Sequence, residues 1–241
     1  MKWHPQVLIS AAICLAAFFH ASAAFANGLT VFPLRADLSA QTRIAAFNVK
    51  SGEATPTLMQ VHLYAWTQTN GIDQLVPSDD LLVGPPIFTL PPGQTQLIRV
   101  GLRNVPTSNR ETTYRIVIAE VPTSRLSGLT FAFRLSMPIF VSPPTPRGPR
   151  AEWSVDKIDA LHIRLILDNA GDQHIHVVSL RVVTVPDQAS IFNGSAVAYV
   201  LAGERRTWVV PVARGSVARS FRIDATIEGG VLNPPAFVKM P

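Results

Sequence analysis

Cysteine is almost absent: the 241 residues hold one, Cys14. It falls in an N-terminal stretch that reads as a removable leader. The remainder then has no disulfide, no thiol nucleophile and no cysteine metal site. Charge is also sparse, at 15% of residues, and no dense Lys/Arg run is interleaved with aromatics. That argues against a nucleic-acid partner. No segment sustains a long apolar 3.6 period, and the 20 prolines oppose long helices, because an interior proline removes a donor and clashes with the preceding turn. No stretch after the leader reads as a transmembrane helix. Neither G-x-x-x-x-G-K-[ST] nor G-x-S-x-G occurs, so nothing points to nucleotide-driven work or to a serine hydrolase. The expectation is a protein that is not an enzyme, with no cofactor, no metal and no small-molecule substrate.

Lys2 supplies a positive start, Val7 to Phe19 forms a short apolar run, and Ala24-Phe25-Ala26 fits an A-x-A cleavage site. This predicts a signal peptide over 1–26 and a secreted mature chain from Asn27. Loss of Lys2 leaves a net charge of +4. Such an excess suits a carboxylate-bearing partner or simply solubility.

The mature sequence reads as strands. Runs rich in Val, Ile, Thr and aromatics alternate with Pro, Gly, Asn and Ser clusters, the pattern of an all-β sandwich. The runs are Leu29–Leu34, Ile44–Lys50, Thr57–Thr67, Gln94–Leu102, Thr113–Val121 and Leu129–Val141. Then comes Ser142-Pro143-Pro144-Thr145-Pro146-Arg147-Gly148-Pro149, which cannot join a central ladder and reads as a stiff linker. It divides the chain into a domain over 27–143 and a second over 144–241. In the second, Leu161, Ile163, Leu165 and Leu167 alternate with His162, Arg164, Ile166 and Asp168. A turn signal at Asn169–Asp172 precedes strands expected at His174–Val185, Ala196–Leu201, Arg206–Pro211 and Ala218–Ile227.

The run from Leu129 to Val141 is unusually long and regular. Leu129, Phe131, Phe133, Leu135 and Met137 fall on one face; Thr130, Ala132, Arg134, Ser136 and Pro138 fall on the other. The five apolar residues either fill the first domain's own core or stand partly exposed at a sheet edge. A long exposed apolar edge is normally suppressed. One that is kept suggests a partner that completes the sheet.

These residues resemble the periplasmic chaperones of the chaperone–usher pilus pathway, in particular the branch called archaic. The similarity is carried in order by Leu29-Thr-Val-Phe-Pro-Leu-Arg35, by Ile87-Phe-Thr-Leu-Pro-Pro-Gly-Gln-Thr-Gln-Leu-Ile-Arg99-Val, and by Arg110-Glu111-Thr-Thr-Tyr114-Arg-Ile-Val-Ile-Ala-Glu120-Val-Pro122. The alternating strand and the proline linker follow. The resemblance implies two immunoglobulin-like β-sandwich domains in a boomerang, a periplasmic location, and pilus or fimbrial subunits and an outer-membrane usher as partners. It implies that Leu129, Phe131, Phe133, Leu135 and Met137 enter the groove of a subunit that lacks a strand. Burying five such side chains is worth about 8–15 kcal/mol gross, much of it lost to ordering and association.

The resemblance further implies a basic anchor for the subunit's C-terminal carboxylate, formed by a first-strand arginine and a last-strand lysine. Arg35 matches the first. Pro138 stands where the lysine would be, which leaves Arg134 on the same strand and Arg99 and Arg115 on neighbouring strands as substitutes. An arginine fork can grip a carboxylate with two N–H groups. Glu111 matches an acidic residue of the domain interface, and Ser142 replaces the linker arginine expected to pair with it. Weaker signals are the pair His174 and His176 near Asp172, too few for a catalytic zinc; the carboxylates Glu152, Asp156 and Asp159, without a pocket; and Trp66, Trp153 and Trp208, which would suit a sugar-binding pilus component as the alternative.

Overall fold

The computed structural model describes residues 28–122, 132–212, 219–228, 230–231 and 236–239. The expected signal peptide, Leu129 and Phe131 lie outside them. The described residues form strands and no helix. The first domain contains β1 (Leu29–Phe32), β2 (Ala36–Leu38), β3 (Ile44–Ser51), β4 (Thr57–Thr69), β5 (Ile72–Pro77), β6 (Leu81–Gly84), β7 (Ile87–Leu90), β8 (Thr95–Leu102), β9 (Thr112–Glu120) and β10 (Arg134–Val141). One sheet runs β1-β3-β8-β6; the facing sheet runs β2-β10-β9-β4-β5, with β7 also on β4. Alternating inward residues close the core, with Phe47, Val49, Ile98, Val100, Ile116 and Ile118 all excluded from solvent.

β2, β5 and β6 were not among the expected runs of the first domain, and they are too short or too exposed to carry an alternating signature. β5 is exposed along its whole length. It forms because Asn70 and Gly71 take left-handed backbone angles (φ 53° and 77°) and make a two-residue hairpin loop, with Thr69 opposite Ile72.

The second domain comprises β11 (Ala151–Lys157), β12 (His162–Asn169), β13 (Ile175–Val185), β14 (Ser190–Val200), β15 (Arg205–Pro211), β16 (Ser220–Ile227), β17 (Gly230–Val231) and β18 (Ala236–Lys239). Its sheets are β11-β12-β15 and β14-β13-β16-β17, with β18 on β16. Ile163, Leu165 and Leu167 face its core, as their alternation predicts.

No strand occurs between Val141 and Ala151. This proline segment is packed rather than free. The Asp172 carboxylate accepts from Arg147 N (3.0 Å) and Gly148 N (2.9 Å), and Ala170 N donates to Arg150 O. Gly171 is required here by close approach: a Cβ on it would meet the backbone of Gly148, Pro149 and Arg150.

The β10 row divides. Met137, Ile139 and Val141 are buried in the first domain's own core, and Leu135 packs at its margin. Met137 is therefore part of the first domain's own core, at 3% exposure, rather than a side chain standing out from it. Met137→Ala should cost the isolated chain about 2–5 kcal/mol, measured by urea unfolding. An unchanged midpoint would show that the side chain is not a core residue.

Candidate functional site: an open strand edge and two arginines at the domain junction

Along one side, β10 pairs with β9 from Arg134 to Val141. Along the other it meets β2 only at Ile139, Phe140 and Val141. Glu120 N donates to Phe133 O at 2.8 Å, and Phe133 N donates to the Glu120 carboxylate. Backbone groups of a strand alternate sides, so Phe133, Leu135 and Met137 face β9 while Arg134, Ser136 and Pro138 face away. Ser142 N, in the same even set, donates to Leu38 O of the β2 side. Among the described residues, Arg134 and Ser136 thus present unpaired N–H and C=O groups at an open edge. Pro138 sits where its missing N–H costs no bond to β9. The side chain of Phe133 is half-buried just beyond the domain's own core.

The other end of β10 enters a seam between the domains. Trp66, Thr113 and Phe140 form one row across the outer face of the β10-β9-β4 layer, by register. Leu201 and Tyr199 of the second domain close over Trp66 and Phe140. Gln68 clasps the same strand end, donating to Tyr199 O (3.0 Å) and accepting from Leu201 N (3.0 Å). Glu111 is buried here. Its carboxylate accepts from His174 N at 3.0 Å and lies 2.7 Å from His174 Nδ1, and the His174 ring stacks on Phe140 at 3.6 Å. His174 of the second domain is thus the partner of Glu111, at a seam where Ser142 stands in place of a linker arginine.

Beside this seam stand two arginines. Arg35, between β1 and β2, bonds Asp37 through Nε (3.0 Å) and Glu228 of the second domain through Nη1 (2.6 Å), and lies 5.9 Å from the Phe140 ring. Arg115 of β9 stands directly opposite Pro138 and stacks over Trp66 at 3.8 Å and near Tyr199 at 5.8 Å. Burial lowers the Arg115 pKa, against the raising influence of Asp73 and Tyr199; an arginine remains charged regardless. Tyr199 lies among these charges. Burial raises its pKa, Glu228 and Asp37 add to this, and Arg35 and Arg115 oppose it.

The other arginines are not brought to this junction. Arg99 is on β8, in the opposite sheet, and projects outward between the fully buried Ile98 and Val100. Arg134 is six residues up β10 from Phe140, roughly 20 Å at strand rise. Neither can share a small carboxylate with Arg35. Arg115, already a candidate by its neighbouring strand, is nearer: it and Arg35 both act by charge on Tyr199.

The remaining candidates are accounted for by the fold. His176 stacks on Tyr199 at 4.0 Å and contacts Glu228, Asp172 holds the linker, and no group of three metal-ligating side chains occurs among the described residues. Glu152 pairs with Arg150, and Asp159 accepts from Leu161 N. The tryptophans form no common surface: Trp66 is buried in the seam, and Trp153 and Trp208 pack together against the second core.

Two β-sandwiches joined by a packed linker, with an open strand edge and two arginines near their junction, define a two-domain immunoglobulin-like fold. Residues 28–146 match the family of pili and flagellar-assembly chaperones, PapD N-terminal domain. The chain belongs to this family, which gives it a chaperone role in pilus assembly. Its fold is similar to a chain of the CsuC–CsuE chaperone–tip adhesion subunit pre-assembly complex from archaic chaperone–usher Csu pili of Acinetobacter baumannii. There the identity is 17% and the TM-score 0.66, over 89% of this chain and 99% of that one. It is also similar to a chain of the Salmonella enterica SafA pilin–SafB chaperone complex (18%, TM-score 0.60, 88% and 96%) and to the E. coli chaperone DraB (16%, TM-score 0.60, 89% and 97%). No curated protein sequence matches the chain.

Glu111→Ala leaves the partly buried His174 N–H without its acceptor and should destabilise the chain by about 1–3 kcal/mol, read by urea unfolding. Glu228 gives a pH dependence. Burial raises its pKa, but the contact with His176 and the charge of Arg35 outweigh this and hold it below the ordinary value. A carboxyl depressed by folding stabilises above its unfolded pKa and loses that contribution as pH falls through the folded one. Wild type should exceed Glu228→Gln by at most about 1 kcal/mol near neutral pH. The gap should close as pH drops below the ordinary value of 4.5, in denaturation curves taken at successive pH values.

Proposed function

We propose that this chain is a periplasmic chaperone that holds pilus subunits by donating β10 and its N-terminal continuation, then passes them to an outer-membrane usher. The observation that carries the reading is the open edge of β10 at Arg134 and Ser136, next to an apolar row that outruns its own core. A subunit that lacks one strand supplies the missing hydrogen-bond partner along that edge. Leu129, Phe131 and Phe133 enter its groove, Leu135 sits at the boundary between the two cores, and Met137 stays with the chaperone. The leader over 1–26 supplies export.

Arg35 and Arg115 hold the subunit's terminal carboxylate at the domain junction, with the Arg115 guanidinium presented from over the Trp66 ring. The carboxylate fixes where the paired strands begin, and therefore which side chains of the row meet which part of the groove. An anchor set by charge and a register set by period two act together, because a slip of one residue would turn every apolar side chain to the wrong face.

Co-expression with a pilus subunit tests this. Phe133→Asp should abolish recovery of soluble subunit while the chaperone stays folded by circular dichroism. Arg35→Ala and Arg115→Ala should each weaken subunit binding by about 2–5 kcal/mol, and Arg99→Ala should bind as wild type. Full subunit recovery with Phe133→Asp would refute strand donation; full binding by Arg35→Ala and Arg115→Ala alike would refute the anchor.

A further inference from the structure

Arg35 is engaged before any partner arrives. A guanidinium has two edges that grip a carboxylate with a pair of N–H groups, one using Nε and the other using the two terminal nitrogens. Asp37 holds Nε and Glu228 holds Nη1, so each gripping edge already has one nitrogen committed. Glu228 comes from the turn at the end of β16, in the other domain. Its Oε2 atom accepts from Arg35 and also lies 3.0 Å from His176 Nδ1.

We infer that Glu228 is a built-in competitor for the carboxylate anchor, a stand-in for the partner's terminal carboxylate that must leave Arg35 for the ligand to bind. This rests on the anchor proposed above. Of the two carboxylates on Arg35, Glu228 is the one able to leave. Asp37 is two residues away on the short strand that pairs with β10 and is held close by the chain itself. Glu228 keeps its contact with His176 after letting go, so the exchange breaks half of its contacts. Its carboxyl is held ionised in the seam by burial-opposing contacts with His176 and Arg35, which keeps it a charged rival at neutral pH.

The charge count points the same way. Arg35 and Arg115 face Asp37, Glu228 and the nearby Asp73. With Glu228 in place the carboxylates outnumber the guanidiniums by one and repel an incoming carboxylate; with Glu228 displaced or neutralised the two signs balance and that repulsion is gone. The residue thereby sets the affinity of the anchor. It leaves the apolar edge as the main source of hold and makes the charged end easy to release. The side chains of Arg35 and Glu228 are 35% and 49% exposed, so water screens the rivalry and its removal is worth a few-fold in affinity, not orders of magnitude.

Fluorescence anisotropy with a labelled peptide of alternating valine and threonine tests this. The peptide is made with either a free C-terminal carboxylate or a carboxamide. Glu228→Gln should bind the carboxylate form about fivefold more tightly than wild type, with the carboxamide form unchanged. Arg35→Ala should remove the preference for the carboxylate, and adding Glu228→Gln to it should restore nothing. Equal binding by wild type and Glu228→Gln, including no binding by either, overturns the competitor. If Arg35→Ala meanwhile loses the preference, the anchor survives that result. If Arg35→Ala keeps the preference, the anchor and the competitor both fall. A gain for Glu228→Gln that also appears with the carboxamide form overturns the inference as well, because it would report a loosened seam.

Discussion

The unequal pairing of β10 is the constraint on which the rest depends. Full pairing with β9 holds the strand in place, and three residues of pairing with β2 hold its far end. Between these lies a stretch whose even-numbered backbone groups face no strand among the described residues. An unpaired edge beside apolar side chains is a hazard in a free protein. Retaining it makes sense where a partner with the opposite defect, a missing strand, completes the sheet. The odd-numbered row is continuous across the boundary: Val141, Ile139 and Met137 belong to the chaperone's core, and Leu135 and Phe133 lead out of it. A partner's groove would therefore extend an existing core.

The seam between the domains gives this edge a fixed end. Trp66, Phe140 and Leu201 exclude water, the Gln68 amide bonds two backbone groups of the second domain, and Glu111 grips His174. Buried polar groups of this kind are stable only when each finds its partner. Arg35 and Arg115 border that seam, so their positions are set by both domains together. Glu228 ties Arg35 across the gap. The same contact that helps join the domains thus occupies the group that would receive a carboxylate.

Much of the fold was legible because alternation reports burial directly. The strands from Ile44, Thr57, Thr95 and Thr112 lie within a residue or two of their expected bounds. The proline segment at Pro143–Pro149 separates the sheets as its chemistry demands. β5 was not legible, because exposed residues on an edge carry no period, although Asn70-Gly71 offered a hairpin signal. The donor row was legible as a row, but not the point where the chaperone's own core ends; that depends on how far the facing sheet reaches. Sequence put Arg99 and Arg134 ahead of Arg115, because only register and sheet membership tell which of them stands beside Pro138. Long-range partners such as Glu228 for Arg35 and His174 for Glu111 have no local signal at all.

Amide hydrogen exchange along β10, with and without a pilus subunit, tests the central claim most directly. Strand donation predicts that the Arg134 and Ser136 amides exchange rapidly in the free chain and become strongly protected in the complex. The Leu135 and Met137 amides, already bonded toward β9, should be protected in both. Unchanged exchange at Arg134 and Ser136 in a complex that has formed would contradict the account.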